Sequence, residues 1–126
     1  MHEEILKDYF EDKINITDLF NDAIGTKVRI GVKETSFYVT PMEGSFGLNA
    51  NHIIKLLRDI LKHKIEPQFL ETIALAIEAS ENIQYGENNS KNDFMIKMLN
   101  EWSVPEINYE LNLENISKCL QKLEKK

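Results

Sequence analysis

The chain has few of the features that mark secreted, disulfide-rich or membrane proteins. Among 126 residues there is one cysteine, Cys119, so an internal disulfide framework is excluded and a reducing compartment is favoured. No apolar stretch approaches the roughly 20 residues that a membrane-spanning helix needs. Glu3 and Glu4 stand where a secretory signal would carry basic residues before an apolar run. We therefore expect a cytoplasmic protein without a membrane segment.

Residues that usually carry catalysis or metal binding are also scarce. The histidines are His2, His52 and His63, and none has another histidine or a cysteine three or four positions away, as in a helical zinc motif. Cys119 falls on the apolar face of its predicted helix, which favours a buried, unreactive thiol. The segment Gly44–Gly47 holds a serine between glycines, but it does not join a strand to a helix, and a hairpin turn explains it. The sequence predicts no metal site, no cofactor and no enzymatic activity.

The net charge of −6 is unevenly distributed along the chain. Residues 1–24 carry two lysines and seven acids (−5), and residues 67–116 carry two lysines and nine acids (−7). Residues 25–66 carry seven basic and four acidic residues (+3), and residues 117–126 carry four lysines and one glutamate (+3). An acidic protein repels the phosphates of nucleic acids, so direct nucleic-acid binding is not expected and a basic protein partner is favoured. The alternative is that the negative charge only keeps the protein soluble.

Apolar spacing predicts a mainly helical α+β protein with five or six helices, in a single domain that covers residues 1–126. A chain of this length can bury one core without disulfides or metals. The helix at about 67–80 is apolar on almost every side, with Leu75 in the middle of the run Phe69–Ile77. We expect this helix to be buried at the centre of the domain. The predicted helices lie at about 3–12, 16–24, 49–64 and 67–80, and after Ser90 and Asn112.

Residues 27–48 alternate between apolar and polar side chains, which is the period of β-strands. The segment Pro41–Gly44 has the composition of a tight turn. Residues 35–40 and 45–48 are therefore predicted to pair as an antiparallel hairpin. Whether residues 28–32 add a third strand to this antiparallel sheet stays open, because a glycine interrupts them.

The most acidic part of the chain also holds candidate aromatic anchors. Tyr85 lies in the asparagine- and glycine-rich stretch 81–90, which is predicted to be an exposed loop. Acids steer a basic partner toward a surface, and aromatic side chains supply much of the binding energy. The alternative is a solvated acidic face, with Trp102 packed in the core. We predict a partner-binding surface that consists of Glu78, Glu81, Tyr85, Glu87, Asp93 and Glu101.

Several segments of the chain, taken in order, resemble one group of bacterial proteins. They are the predicted hairpin, Asn49–Leu56, Leu61–Pro67, Thr72–Ile77, Trp102 and Pro105–Ile116. Over roughly residues 3–116 they resemble the small immunity proteins of contact-dependent growth inhibition and related polymorphic toxin systems. The resemblance implies a protein that binds a cognate toxin domain, often a basic nuclease, and blocks it by occlusion. It assigns no residue roles, because none of the shared segments is catalytic.

A second class of function fits the same sequence. A regulatory adaptor or antitoxin-like subunit that binds a transcription or signalling partner would also be small, acidic and without catalytic residues. A toxin gene immediately upstream would favour the immunity protein over the adaptor. Both alternatives describe a protein that acts by binding another protein.

Overall fold

Six helices and two pairs of short strands form the part of the chain that the computed structural model describes, residues 2–23, 27–30, 34–37, 39–103 and 112–125. The prediction of a mainly helical protein with a small amount of sheet is confirmed. No helix in these residues is both long enough and apolar enough to cross a bilayer. Residues 105–111 of the resembling segment Pro105–Ile116 lie outside the described residues. In chain order the elements are α1 (Glu3–Phe10), α2 (Ile16–Ala23), β1 (Lys27–Ile30), β2 (Glu34–Phe37), β3 (Phe46–Leu48), α3 (Ala50–His63), α4 (Phe69–Ala79), β4 (Ile83–Tyr85), α5 (Ser90–Trp102) and α6 (Leu113–Glu124).

Asparagine side chains fix the beginnings of several helices. Asn15 before α2 and Asn112 before α6 each accept a hydrogen bond, through Oδ1, from the backbone N–H three residues later, at 2.9 and 2.8 Å. These N-caps satisfy donors that the first turn of a helix leaves without a partner. The helix predicted to follow Ser90 begins at Ser90 itself, one residue earlier. Asn89 caps this helix, again by accepting from the N–H three residues later, at 2.8 Å.

The helices pack around one hydrophobic cluster to which all six of them, together with β3 and β4, contribute buried side chains. α1 packs on α2, α2 on α4, and α4 on α5, while α3, α5 and α6 pack on one another. Trp102 at the end of α5 is 1% exposed and belongs to this cluster. It is therefore a core residue, as the alternative interpretation of the acidic stretch expects.

The boundaries and the buried face of α4 differ from the prediction. The helix begins at Phe69, two residues after Pro67. Leu70 and Ile73 have no exposed surface, whereas Leu75 is only partly buried. The expectation that Leu75 is a core residue is wrong, because an apolar run this uniform does not show which side of the helix faces the cluster.

The predicted antiparallel pairing of residues 35–40 with 45–48 is wrong. β3 pairs with β4 instead, in parallel, with Phe46 opposite Ile83. Parallel strands need a long crossover connection, and α3 and α4 provide it here. β1 and β2 form a separate antiparallel pair, so the stretch around residues 28–32 contributes a strand to that pair. Alternation of side chains identified the strands, but the partner of each strand depends on how the helices pack.

Candidate partner-binding surface

The strand β4 lies within residues 81–90, which the sequence predicts to be a loop. Ser80 has an extended backbone that ends α4, and its hydroxyl donates to a carbonyl of the last turn at 2.6 Å. Beyond the strand, the Gly86 N–H donates to the Leu48 carbonyl of β3 at 2.8 Å. Hydrogen bonds on both sides of β4 therefore fix the backbone that carries Tyr85.

Glu3 at the start of α1 is a buried carboxylate that holds three segments together. Its side chain is 1% exposed. Oε1 accepts from the Met42 N–H at 3.1 Å and from Asn82 Nδ2 at 2.9 Å. Oε2 accepts from the backbone N–H groups of Glu81 and Asn82 at 3.1 and 3.3 Å. The carboxylate thereby ties α1 to the loop before β3 and to the link between α4 and β4.

The protonation state of Glu3 follows from these contacts. Burial alone raises the pKa of this carboxyl, because it penalises the charged form. Hydrogen bonds from the Asn82 side chain and from three backbone N–H groups lower it, and together they hold the pKa below its ordinary value of 4.5. Glu3 is therefore a charged acceptor at neutral pH. Sequence reasoning missed this residue, since a glutamate in a first helical turn is usually exposed.

Glu78 and Tyr85 are two predicted surface residues that interact electrostatically. Tyr85 is 40% exposed, and it is one of two large hydrophobic side chains classed as exposed in the described residues. Burial of part of its ring, and then the charge of Glu78, raise the pKa of Tyr85. Partial burial also raises the pKa of Glu78, while a hydrogen bond from the Ser103 hydroxyl at 3.3 Å opposes that change. The charge of Glu78, an exposed acid at the end of α4, thus acts on the exposed ring of Tyr85.

The other four predicted residues lie around β4 and on α5. Glu81 and Glu87 lie on either side of β4 and are exposed. Asp93 is exposed in the first turn of α5, and Glu101 is half-buried in the last turn. At 1.5 Å per residue, Asp93 and Glu101 lie about 12 Å apart along the axis and about 80° apart around it. We name these six predicted residues, which lie at the end of α4, on and beside β4 and on α5, the acidic edge.

Asn92 joins the acidic edge to the start of α3. It is 3% exposed. Its Oδ1 accepts from the Ala50 N–H at 2.8 Å, and its Nδ2 donates to the Glu87 carbonyl at 2.7 Å and to Asn49 Oδ1 at 3.3 Å. The backbone at Gly86 passes so close to the Asn49 side chain that there is no room for a Cβ. Packing and hydrogen bonding together position the segment between Tyr85 and α5.

Replacing Gly86 with alanine is expected to lower the free energy of unfolding by about 1–3 kcal/mol, the usual range for overpacking. A Cβ on Gly86 would lie 1.9 Å from Asn49 Oδ1 and 3.3 Å from the Leu48 carbonyl oxygen, so Asn49 must move away from Asn92. Gly47→Ala is the matched control in the adjacent strand, because its Cβ would meet nothing within 4 Å.

Urea denaturation of both variants, alone and combined with Asn49→Ala, measures this effect. The cost of Gly86→Ala should shrink when Asn49 is already truncated, since contacting residues are not additive. Equal costs for Gly86→Ala and Gly47→Ala, or full additivity with Asn49→Ala, would contradict the close approach.

Comparison with known proteins gives no relative from which a function could be transferred. No family model, curated protein or solved structure matches the chain. Within the described residues, no three or more histidine, cysteine, aspartate or glutamate side chains are grouped so that they could hold a metal ion. Inference about function therefore depends on the chemistry of the acidic edge.

Proposed function

We propose that this protein is an immunity protein that binds a basic toxin domain through the acidic edge and inactivates the toxin by occlusion. The observation that carries the proposal is Tyr85, whose ring is 40% exposed at the end of β4 and within electrostatic reach of the exposed Glu78. Tyrosine is enriched among the residues that dominate binding energy in interfaces. Acids around such an anchor select a basic partner. A basic nuclease domain is a toxin class with the complementary chemistry.

The charge of the surrounding segment supports the same partner. Residues 67–103 carry two lysines and six acids, a net charge of −4. A surface with this excess attracts a basic protein over about one Debye length, roughly 8–10 Å at physiological salt. The encounter is accelerated, and the acceleration is lost as salt is added. Strong salt dependence of association is therefore a property of the proposed complex.

The scaffold beneath the acidic edge also fits a binding function. In this proposal α4 is the central helix, packed between α2 and α5, and it carries Glu78 near its end. Glu3 and Asn92 fix the backbone on either side of Tyr85. A surface that is already ordered loses less conformational entropy when it binds. The proposal requires no cofactor and no catalytic step, and it places the inhibition in the cytoplasm.

Reversing Glu78, Glu81 and Glu87 to lysine is expected to slow association with the cognate toxin by about tenfold or more at low salt, because electrostatic steering is removed. Tyr85→Ala should instead speed dissociation by about tenfold, since loss of an anchor acts mainly on the dissociation rate. Surface plasmon resonance at 50 and 500 mM salt, with the toxin domain encoded immediately upstream, separates the two rates.

The matched control reverses Glu11, Asp18 and Glu66, three exposed acids outside the acidic edge, and changes the net charge equally. Glu3 is unsuitable for this control because it is buried. Equal slowing by both triple variants would show that only net charge matters and that the acidic edge is not the interface. A correctly folded protein that does not bind or inhibit the upstream-encoded protein would favour the adaptor alternative.

A further inference from the structure

A groove between α5 and α6 has a chemistry opposite to that of the acidic edge. Its volume is about 290 Å³, just under the range of about 300–1,000 Å³ that small-molecule sites occupy. The apolar part of its lining consists of Phe94 and Met98 from α5 and Cys119 from α6. Met98 is buried, and the other two side chains are half-buried. The groove is therefore suited to a single apolar side chain of a partner.

The rest of the lining is mainly basic. Lys97, Lys118 and Lys122 are exposed around the groove, and Glu101 is the one acid among the described residues that line it. These four side chains carry three positive charges and one negative charge, a local excess of +2 in a chain with a net charge of −6. Such an excess attracts a group of the opposite sign to this groove.

Within the part of the chain that the structure describes, the lysines on α6 have little compensation. Lys118 and Lys122 are four residues apart on one helix face, a spacing at which like charges repel each other. Lys118 contacts Glu114 at 3.4 Å, but the two side chains are 63% and 78% exposed. Ion pairs this exposed are weak and exchange readily with other partners. The basic side chains therefore remain available to an incoming acid.

We propose that this groove binds an acidic peptide segment that inserts one apolar side chain between α5 and α6. The apolar side chain contacts Phe94 and Met98, and the acids beside it pair with the three lysines. The net negative charge of the protein disfavours binding of long nucleic acids. The apolar part of the groove accommodates the anchoring side chain of a peptide better than it accommodates a phosphate. The groove shares Glu101 with the acidic edge, but its occupant has the opposite charge to the proposed toxin.

Selection from a displayed library of random 12-residue peptides on the full-length protein tests the proposal. Counter-selection uses the variant Lys97→Gln, Lys118→Gln and Lys122→Gln. Enriched sequences are expected to be rich in aspartate and glutamate around one leucine, phenylalanine or tryptophan. Their affinity, measured by fluorescence anisotropy, should fall at least tenfold in the triple variant and at 500 mM salt. The matched control Lys7→Gln, Lys13→Gln and Lys64→Gln, which lies outside the groove, should bind as the wild type does.

Cys119 provides a direct measure of occupancy. Because this thiol lines the groove, a bound acidic peptide should slow its alkylation by iodoacetamide at least fivefold in the unmodified protein. A scrambled peptide with lysine in place of its acids should not slow it. Selection of basic or neutral sequences, no enrichment at all, equal binding to both triple variants, or binding without protection of Cys119 would overturn the proposal. Protection by a single-stranded oligonucleotide or by vesicles of 3:1 phosphatidylcholine and phosphatidylglycerol, without protection by the peptides, would also overturn it.

Discussion

Replacing Glu3 with alanine is expected to lower the free energy of unfolding by about 3 kcal/mol or more, because several buried hydrogen-bond donors lose their acceptor. The carboxylate is 1% exposed and accepts hydrogen bonds from Met42, Glu81 and Asn82. Without it, several donors lose their acceptor in a site that water enters poorly, and each such donor costs about 1–3 kcal/mol. Urea denaturation at neutral pH measures the loss.

The pH dependence separates the charge of Glu3 from its volume. Because the folded state holds the pKa of this carboxyl below 4.5, the unfolded state binds the proton more readily. The stability that this charge contributes is therefore complete above pH 4.5 and is lost as the pH falls through the lower, folded-state pKa. The glutamine of Glu3→Gln does not titrate. The difference in free energy of unfolding between this variant and the wild type should therefore be largest near neutral pH and should shrink below pH 4.5.

Glu4→Ala is the control for both measurements, because Glu4 is the exposed neighbour in the same helical turn. Its effect should stay within about 0.5 kcal/mol, as for most surface changes. One contrary result would be that Glu3→Ala lowers the free energy of unfolding no more than Glu4→Ala does. Another would be that the difference in this free energy between Glu3→Gln and wild type does not vary with pH. Either result would show that the carboxylate does not carry these hydrogen bonds.

The parts of the fold that depend on local chemistry could be predicted from the sequence. A helix cap involves a side chain and a backbone N–H three residues away, so Asn15 and Asn112 could be placed as caps without knowledge of the fold. The apolar stripe of α3 likewise predicts its own buried face, and Leu56, Leu57 and Ile60 have no exposed surface. Local signals of this kind identified the helices.

The parts that depend on distant residues could not be predicted in the same way. Phe46 pairs with Ile83 across two intervening helices, and no pattern within either segment specifies the other. Glu3 is buried because three segments converge on it, although a glutamate near a chain terminus has the appearance of a surface residue. Tyr85 combines a feature that could be predicted with one that could not. Its exposure follows from the polar stretch around it, whereas its place in a strand near Glu78 depends on packing.

Ile73→Ala and Leu75→Ala should have clearly different effects, although both remove a large apolar side chain from the middle of α4. Two residues turn a helix by about 200°, so the two side chains point to nearly opposite sides. Ile73 is 0% exposed, whereas Leu75 is partly buried. Ile73→Ala should cost about 2–5 kcal/mol, because it removes buried methyl groups and leaves a cavity.

Leu75→Ala should cost less than Ile73→Ala, since part of its side chain already contacts water and the neighbouring residues can close around the change. Each variant is the control for the other, because alanine favours the helix equally at both positions. In urea denaturation, an unchanged slope of the unfolding free energy against urea concentration would show that the variants differ only in stability. If Leu75→Ala cost as much as Ile73→Ala, the orientation of α4 would have to be revised. The end of this helix carries Glu78, so such a rotation would also move the acid away from Tyr85 and remove the main support for the proposed interface.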